Sequence, residues 1–218
     1  MSSEKKKEIP LWAIRLMAFT ILYVALGGMY MFINQSNVGK PAAFLGTFFD
    51  EIIPFNRYWV WPYYIYYILI GLPFLIIDNR RDLIKAVYAY VITGVITLSF
   101  YAFWPTRIFR PHVPGNDISA RLVRALYDTD KPYNCFPSQH VANSFTSAFI
   151  MLKSNRKIGL FFFAFAILIS LSTVFIKQHT FVDIPSGFLV ALISIILVYN
   201  IGLFTKEKLQ NKKCRKSI

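Results

Sequence analysis

Two short stretches decide how this chain folds: Asn134–His140, which reads Asn-Cys-Phe-Pro-Ser-Gln-His, and His179–Asp183, which reads His-Thr-Phe-Val-Asp. They contain two of the three histidines in the chain, and each borders a long apolar run. Ionisable groups at membrane depth are costly, so their presence beside such runs indicates a functional site. The two stretches therefore predict both where helices begin and where the chemistry lies.

The overall composition is that of a membrane protein. Of the 218 residues, 56% are hydrophobic and 17% aromatic, whereas an ordinary soluble domain is about 45–50% apolar. The net charge is +13, and the Lys and Arg residues cluster between apolar runs and at the two ends. This arrangement fits anionic lipid headgroups better than nucleic acid, so we expect the bilayer as a partner and no nucleic acid.

Six apolar runs are candidates for crossing a bilayer. A hydrocarbon core of about 30 Å needs about 20 helical residues at about 1.5 Å each. The first run is longer than that of a cleaved signal peptide, and no convincing A-x-A-like site follows it, which favours a span. We therefore expect an all-α integral membrane protein, a six-helix bundle that forms a single domain over residues 1–218. The predicted spans are residues 11–33, 59–77, 83–104, 138–152, 158–176 and 184–204.

The distribution of basic residues predicts the orientation of this bundle. Six spans place both termini on one side, which carries 15 Lys and Arg residues, against 8 on the other. The positive-inside rule then places both termini in the cytoplasm, and both motif stretches on the extracytoplasmic side of the plasma membrane. The outer connections are residues 34–58, whose aromatic piece Phe44–Phe55 we expect in the interface, and the polar residues 105–137. The Trp- and Tyr-rich residues 59–67 predict an aromatic belt at headgroup level.

Three segments on the outer side carry residues suited to phosphoester cleavage: Arg107–Pro111, Pro137–His140 and His179–Asp183. One imidazole can attack phosphorus while the other protonates the leaving oxygen. Guanidinium groups and the backbone N–H groups of a helix N-terminus can hold the phosphate oxygens. A carboxylate can orient the attacking imidazole and stabilise its charge.

The spacing of the last segment supports such roles. Asp183 follows His179 by four residues, which places the two side chains together if this segment is helical. Pro185 is easily accommodated only in the first turn of a helix. We therefore expect the sixth helix to begin close to Asp183, with His179 at or just before its start.

The other two segments offer groups that could hold an anion. Pro137–Ser138 reads as the start of the fourth helix, where free N–H groups point outward. Arg107 and Arg110 are three residues apart, so they would present one cationic face if their segment is helical.

These residues resemble a known family. Pro137-Ser138-Gln139-His140 resembles the P-S-G-H motif of the type-2 phosphatidate phosphatase superfamily, which also includes the vanadium haloperoxidases. Ser172-Thr173-x5-His179-x3-Asp183 is similar to its S-R-x5-H-x3-D motif, and Arg110-Pro111 resembles the end of its K-x6-R-P motif. Order, spacing and the six-span layout agree, so the resemblance covers nearly the whole chain.

The resemblance implies a role for each matching residue. His179 would be the nucleophile, Asp183 its partner and His140 the general acid. Arg110 and Ser138 would bind the phosphate, and catalysis would need neither a metal nor another cofactor. Further phosphate-binding candidates stand at the remaining motif positions: Gln139, Ser172 and Thr173.

Three motif positions depart from the family pattern. Phe103 stands where the first motif has lysine, Thr173 where the third has arginine, and Gln139 where the second has glycine. Two cations are therefore missing, and the nearby Arg107 and Lys177 are candidates to replace them. The variants around both histidines are similar to the branch related to inositol phosphorylceramide synthases, which transfers a headgroup between lipids.

Three functions stay open at this point. The leading one is a phosphatase that acts through a phosphohistidine on a lipid phosphate, such as phosphatidate, phosphatidylglycerol phosphate or an isoprenoid (di)phosphate. The second is transfer of a lipid headgroup through the same histidine. The third is a non-catalytic membrane scaffold or transporter that retains the motifs.

Overall fold

The computed structural model describes residues 9–199, which are mostly helical and confirm an all-α membrane fold. A π-helical segment, Thr20–Leu26, joins the first two helices, and a 3₁₀ turn, Arg57–Trp59, precedes the fourth. The short strands β1 (Ala43–Phe44) and β2 (Thr106–Arg107) pair in parallel. The helices are α1 Leu11–Phe19, α2 Gly27–Ser36, α3 Phe48–Ile52, α4 Val60–Leu69, α5 Leu72–Ile76, α6 Arg80–Phe103, α7 Ile118–Thr129, α8 Gln139–Ser154, α9 Arg156–Phe175 and α10 Asp183–Tyr199.

Each predicted span falls on one or more of these helices. Four helical stretches in the described part of the chain are long and apolar enough to cross a membrane: Leu11–Ser36, Arg57–Ile76, Arg80–Phe103 and Arg156–Phe175. The helices α8, with 16 residues, and α10, with 17 described residues, are shorter. Residues 200–204 of the sixth predicted span, and the charged ends of the chain, lie outside the described residues.

Asparagine side chains fix where two of the long helices begin. Asn79 accepts hydrogen bonds from the backbone N–H groups of Arg81 and Asp82 at the start of α6. Asn155 does the same for Lys157 and Ile158 at the start of α9. Such caps satisfy donors that have no partner within the helix, so each helix starts directly after its asparagine.

The helix α8 lies at the centre of the bundle and packs against α6, α9 and α10. Every residue from Pro137 to Ala148 is buried, although many of them are polar. Their hydroxyl and amide groups bond to the surrounding helices, because a buried polar group without a partner is costly. Thr146 bonds to Thr93 at 3.0 Å, and Ser147 bonds to Tyr90 at 2.5 Å. Because this stretch is surrounded by protein rather than lipid, it can carry polar residues, and its hydropathy is therefore the weakest of the six predicted spans.

A glycine brings the starts of α8 and α10 together. A Cβ atom at Gly187 would lie 2.7 Å from the backbone oxygen of Ser138, a distance that side-chain atoms do not tolerate. The backbone N–H of Ser138 also donates to the carbonyl oxygen of Asp183, at 3.3 Å. The two motif stretches are therefore joined through their backbones before any side chain contributes.

The connections at residues 34–58 and 105–137 contain more regular structure than the sequence indicated. Residues 105–137, read as a polar connection, contain the helix α7, whose N-terminus is capped by Asp117. The condition for a shared face of Arg107 and Arg110 is not met, since their segment is not helical: Arg107 belongs to β2 and pairs with Phe44. Strand pairing with the 34–58 connection, a contact distant in sequence, determines the conformation there instead.

Candidate active site

The loop between α9 and α10 presents His179. The carbonyl oxygen of Thr173, near the end of α9, accepts hydrogen bonds from the backbone N–H groups of both Gln178 and His179. Lys177 adopts a positive φ of 53°, which reverses the chain at that point. His179 therefore points back toward α8, whose first turn carries His140.

The two motif histidines face each other inside the protein. Nδ1 of His140 lies 3.3 Å from Nε2 of His179, and the residues are only 5% and 3% exposed. Nδ1 of His179 lies 2.8 Å from the carbonyl oxygen of Cys135, which can only accept, so Nδ1 carries the hydrogen. In a neutral ring this leaves a lone pair on Nε2, and Nδ1 of His140 is then the donor toward it.

Asp183 supports the second histidine as its spacing predicted. Its Oδ2 lies 3.3 Å from Nδ1 of His179 and accepts the backbone N–H of Thr180 at 2.8 Å. The carboxylate is fully buried at the first residue of α10. It is therefore placed to fix the His179 ring and to stabilise positive charge on it.

Tyr63 supports the other side of His140, and sequence reasoning missed it. Its hydroxyl lies 2.7 Å from Nε2 of His140; it donates to that nitrogen when the ring is neutral and accepts from it when the ring is protonated. Tyr63 was read as part of an interfacial aromatic belt, but it is fully buried, whereas the neighbouring Trp61 is 51% exposed. The sequence alone gives no signal that separates the buried Tyr63 from the exposed aromatic residues of α4.

Arg110 lies beside the loop between α9 and α10, called here the histidine loop. It donates to the carbonyl oxygens of Asp130 (2.6 Å) and Tyr127 (3.3 Å), and its second terminal nitrogen donates to the side-chain oxygen of Gln178. Three buried side-chain groups here have no hydrogen-bond partner within residues 9–199. They are the Nε of Arg110, the Nε2 of Gln178 and the Oγ1 of Thr180. All three can donate, which suits an oxyanion.

The remaining motif residues are buried and engaged with the backbone. Ser138 caps α8, where its Oγ accepts the N–H of Val141 at 3.3 Å. The Oγ of Ser172 donates to Ile169, and the Oγ1 of Thr173 donates to Ser170, both within α9. These two hydroxyls therefore use their hydrogens inside their own helix. The backbone N–H of Gln139 donates to the hydroxyl of Tyr101.

The two candidate replacement cations occupy different surroundings. The Nζ of Lys177 donates to the carbonyl oxygens of Asp50 (2.8 Å) and Ile53 (2.6 Å), which ties the histidine loop to α3. Partial burial lowers the pKa of this ammonium group. The guanidinium of Arg107 lies over the ring of Phe109, 5.1 Å from its centroid, and is exposed. Lys177 is thus adjacent to the histidine loop, while Arg107 packs at the protein surface.

Two cavities lie close to the histidine pair. The first, called here the loop cavity, measures about 550 Å³ and lies among the segments 44–55, 108–111 and 177–180; its lining includes Arg110, Lys177 and Thr180 together with Asp50 and Glu51. The second, called the helix cavity, measures about 250 Å³ and lies between α2, α4, α7 and α8; its lining includes His140. One cavity thus reaches His140 and the other reaches Thr180, the residue after His179.

The site residues are suited to an oxyanion. Within residues 9–199 no group of three or more His, Cys, Asp or Glu side chains is arranged to hold a metal ion. The site residues supply two imidazoles, a carboxylate and several N–H and O–H donors. Such a set can bind a phosphate, attack it and protonate a leaving oxygen.

The fold and this site together define a class, the α-helical membrane proteins with a phosphatase-type site. The chain belongs to the PAP2 superfamily, which matches residues 82–206. It is also 25% identical over 213 residues to a protein of Dictyostelium discoideum described as a PA-phosphatase related-family protein. That alignment covers 85% of this chain but only 38% of the relative, so the chain spans less than half of its length. No solved structure matches the chain.

Proposed function

We propose that this protein hydrolyses a lipid phosphate through a phosphohistidine on His179. The observation that carries the proposal is the histidine pair, in which Nε2 of His179 has a lone pair directed at the hydrogen-bearing Nδ1 of His140, 3.3 Å away. A nucleophile and an acid that face each other across a short gap are what a displacement at phosphorus needs.

The first step forms the phosphoenzyme. Nε2 of His179 attacks phosphorus and forms an N–P bond, while the P–O bond to the lipid alcohol breaks. His140 enters this step protonated on both ring nitrogens; its Nδ1 gives a proton to the leaving oxygen, and the ring becomes neutral. The ring of His179 becomes cationic, and Asp183 and the carbonyl oxygen of Cys135 stabilise it through Nδ1–H. Because the two reacting nitrogens are now 3.3 Å apart, the phosphoryl group must separate the rings to reach Nε2.

The second step releases phosphate. Water attacks phosphorus, the N–P bond breaks, and His140 takes up a proton from the water. This returns both imidazoles to their starting state, as microscopic reversibility requires. Arg110 and the free donors of Gln178 and Thr180 hold the phosphate oxygens throughout.

The substrate and location follow from the same arrangement. The apolar helices indicate that the phosphate belongs to a lipid, such as phosphatidate, phosphatidylglycerol phosphate or an isoprenoid (di)phosphate. The excess of basic residues on the side of the termini places the site at the extracytoplasmic face of the plasma membrane. A cysteine at Asp128, after replacement of Cys135 and Cys214, should then react with an impermeant thiol reagent in intact cells. Labelling only after lysis would reverse this orientation.

Headgroup transfer is the second candidate, because the site has few cations. Phe103 and Thr173 stand at motif positions that carry Lys and Arg in the family resemblance, and Phe103 is 88% exposed. Arg110 already shares its guanidinium among three acceptors. A monoanionic phosphodiester needs less compensating charge than a dianionic monoester, so these residues also suit a diester whose headgroup passes to another alcohol.

One experiment separates the candidates. Purified protein is incubated with lipid phosphate labelled on phosphorus, with and without an added alcohol. Free labelled phosphate in both reactions supports hydrolysis. Label that appears on the alcohol, with little free phosphate, supports headgroup transfer. If neither product forms, while the protein remains folded, the chain is a non-catalytic membrane protein and the proposal is wrong.

A further inference from the structure

The helix cavity contains polar groups that the reaction above does not use. Its lining is largely apolar and aromatic, as expected between helices, and includes Leu22, Met31, Ile70 and Leu126 together with Tyr23, Tyr30, Tyr66 and Tyr67. Beside His140, however, it also contains Asp130, Gln139 and Asn143. Polar residues inside an apolar cavity usually fix the orientation of a ligand.

Asp130 is the most informative of these residues. It is only 6% exposed and lies at the end of α7, where its two carboxylate oxygens accept the hydroxyl of Tyr30 at 3.0 and 3.1 Å. Tyr30 supplies a single hydrogen, while an ionised carboxylate can accept about four hydrogen bonds. The carboxylate can therefore accept further hydrogen bonds from the cavity. A buried charge is costly unless it is paired or hydrogen-bonded, so a ligand that donates to this carboxylate is favoured.

Two side-chain amides beside it are also incompletely bonded. The Oε1 of Gln139 and the Oδ1 of Asn143 are buried and have no hydrogen-bond partner within residues 9–199. Gln139 is 6% exposed and Asn143 is 2% exposed, so water does not readily satisfy them. Together with Asp130 they present three acceptors to one small volume, which a hydroxyl group would complement.

The position of the cavity indicates which part of a substrate enters it. Its rim includes Tyr23, Met31 and Tyr67, which are 37%, 38% and 41% exposed on two of the candidate membrane spans. A lipid in the bilayer can therefore reach the cavity from the side. His140, the proposed acid, also lines this cavity, so the group that occupies it is the lipid alcohol that leaves phosphorus.

We propose that the helix cavity binds the lipid side of the substrate, and that Asp130 selects lipid phosphates with a free hydroxyl beside the phosphorylated oxygen. This inference rests on the proposed function, and it narrows the substrate class to hydroxyl-bearing lipid phosphates. Phosphatidate with two acyl chains lacks that hydroxyl, whereas a single-chain lysophosphatidate has it. A site that hydrogen-bonds a hydroxyl rejects an analogue without it more strongly than an apolar pocket distinguishes chain lengths.

The test uses two probes that differ at one group. The first is lysophosphatidate with one oleoyl chain and a free hydroxyl, and the second is the same lipid with that hydroxyl methylated. For the full-length protein in nanodiscs, kcat/KM should favour the free hydroxyl by at least about tenfold. Asp130→Asn should reduce this preference to below about threefold. Asp128→Asn, an exposed carboxylate on the same helix, is the matched control and should keep the full preference.

A binding measurement separates failure of this inference from failure of the proposed function. Both lipids are titrated against two proteins, His179→Ala alone and His179→Ala combined with Asp130→Asn. The first should bind the lipid with the free hydroxyl more tightly, and the second should show a much smaller preference. If the wild-type protein hydrolyses neither probe, the proposed function is wrong, and the ratio of the two affinities still decides the role of the cavity. Equal binding or turnover of both probes by protein with Asp130 overturns the inference, as does full preference in Asp130→Asn.

Discussion

The loop cavity and the helix cavity both lie close to the histidine pair, yet their free polar groups differ. The loop cavity has the cations Arg110 and Lys177 and the hydroxyl of Thr180; it also has two carboxylates, Asp50 and Glu51, and both oxygens of Asp50 already accept backbone N–H groups. The helix cavity has a carboxylate and two amide oxygens without partners. Cations and donors suit phosphate oxygens and free acceptors suit hydroxyls, so the proposed function has the phosphate on the side of the loop cavity and the alcohol on the side of the helix cavity.

The difference also gives the reaction a direction. His140 lines the helix cavity, so its proton is delivered on the alcohol side. Thr180, next to His179, lines the loop cavity, so under the proposed function phosphate leaves on that side.

The largest expected effect concerns the acid on the alcohol side. His140→Ala should slow the cleavage of alkyl phosphates by about 10²–10⁴-fold, since the leaving oxygen loses its proton donor. The loss should shrink for nitrophenyl phosphate, whose leaving group needs little protonation. Steady-state kcat/KM for the two substrates measures this. Equal losses for both would remove His140 from the acid role.

A smaller effect is expected for the cation in the loop cavity. Lys177→Met should lower kcat/KM by at least about tenfold, because lost electrostatic stabilisation raises the barrier by several kcal/mol in comparable sites. Arg107→Met is the matched control and should stay within about threefold, as an exposed anchor costs less than about 1 kcal/mol. Thermal melts check that both variants fold.

Inhibition by inorganic phosphate distinguishes binding from support of the loop. Lys177 also bonds to the carbonyl oxygens of Asp50 and Ile53, so its loss alters the α3 contact as well. If Lys177 touches phosphate, Lys177→Met should raise the inhibition constant for phosphate along with its effect on turnover. If both variants stay within about threefold of the parent, the replacement of the missing family cations by Lys177 or Arg107 is wrong.

Tyr63 is expected to act through His140 with a moderate effect. Tyr63→Phe removes one hydrogen bond to Nε2 of His140, worth about 0.5–1.5 kcal/mol, or about two- to tenfold in kcat. The pH profile of kcat should move as well, because that bond favours one protonation state of the imidazole. Tyr64→Phe, on the neighbouring face of α4, serves as the control. An unchanged profile in Tyr63→Phe would make the tyrosine a packing residue only.

The smallest effect is on stability. Burial raises the pKa of the Asp130 carboxyl, although the charge of Arg110, the hydroxyl of Tyr30 and His179 all act to lower it. The raised pKa means that the ionised form costs stability, and the cost appears as the pH rises through that value. At neutral pH Asp130→Asn should raise Tm by about 2–4 °C for each 1 kcal/mol of unfolding free energy regained. The gain should vanish when the pH is below about 3.9, the ordinary pKa of an Asp side chain. A lower Tm at neutral pH would show that the carboxylate stabilises the fold.

Local spacing in the sequence predicted the parts of the site that lie close together along the chain. The start of α10 at Asp183 and the start of α8 after Ser138 depend on signals within a few residues, and the contact of His179 with Asp183 is made by the short turn that precedes α10. The helical positions of the spans follow from apolar run length in the same way. These features needed no knowledge of distant contacts.

The features that the sequence did not reveal depend on contacts between distant segments. Tyr63 meets His140 from another helix, and the carbonyl oxygen of Cys135 meets His179 from another loop. Neither pairing leaves a periodic signal. The helix α7 did leave one, since Val123 and Leu126 are buried behind an Asp117 cap, but its charges obscured the apolar face. The backbone conformation at Arg107 is set by its pairing with strand β1, which its spacing to Arg110 could not indicate.

Trapping of the phosphoenzyme tests the reaction itself. Protein is mixed rapidly with lysophosphatidate labelled on phosphorus, quenched in base, and analysed for protein-bound label. A phosphohistidine on His179 predicts label that is stable in base and lost in acid, present in the wild type and absent from His179→Ala. His140→Ala should still acquire label from nitrophenyl phosphate. Protein-bound label that persists in His179→Ala, or turnover of the lipid without any bound label in the wild type, would contradict the account.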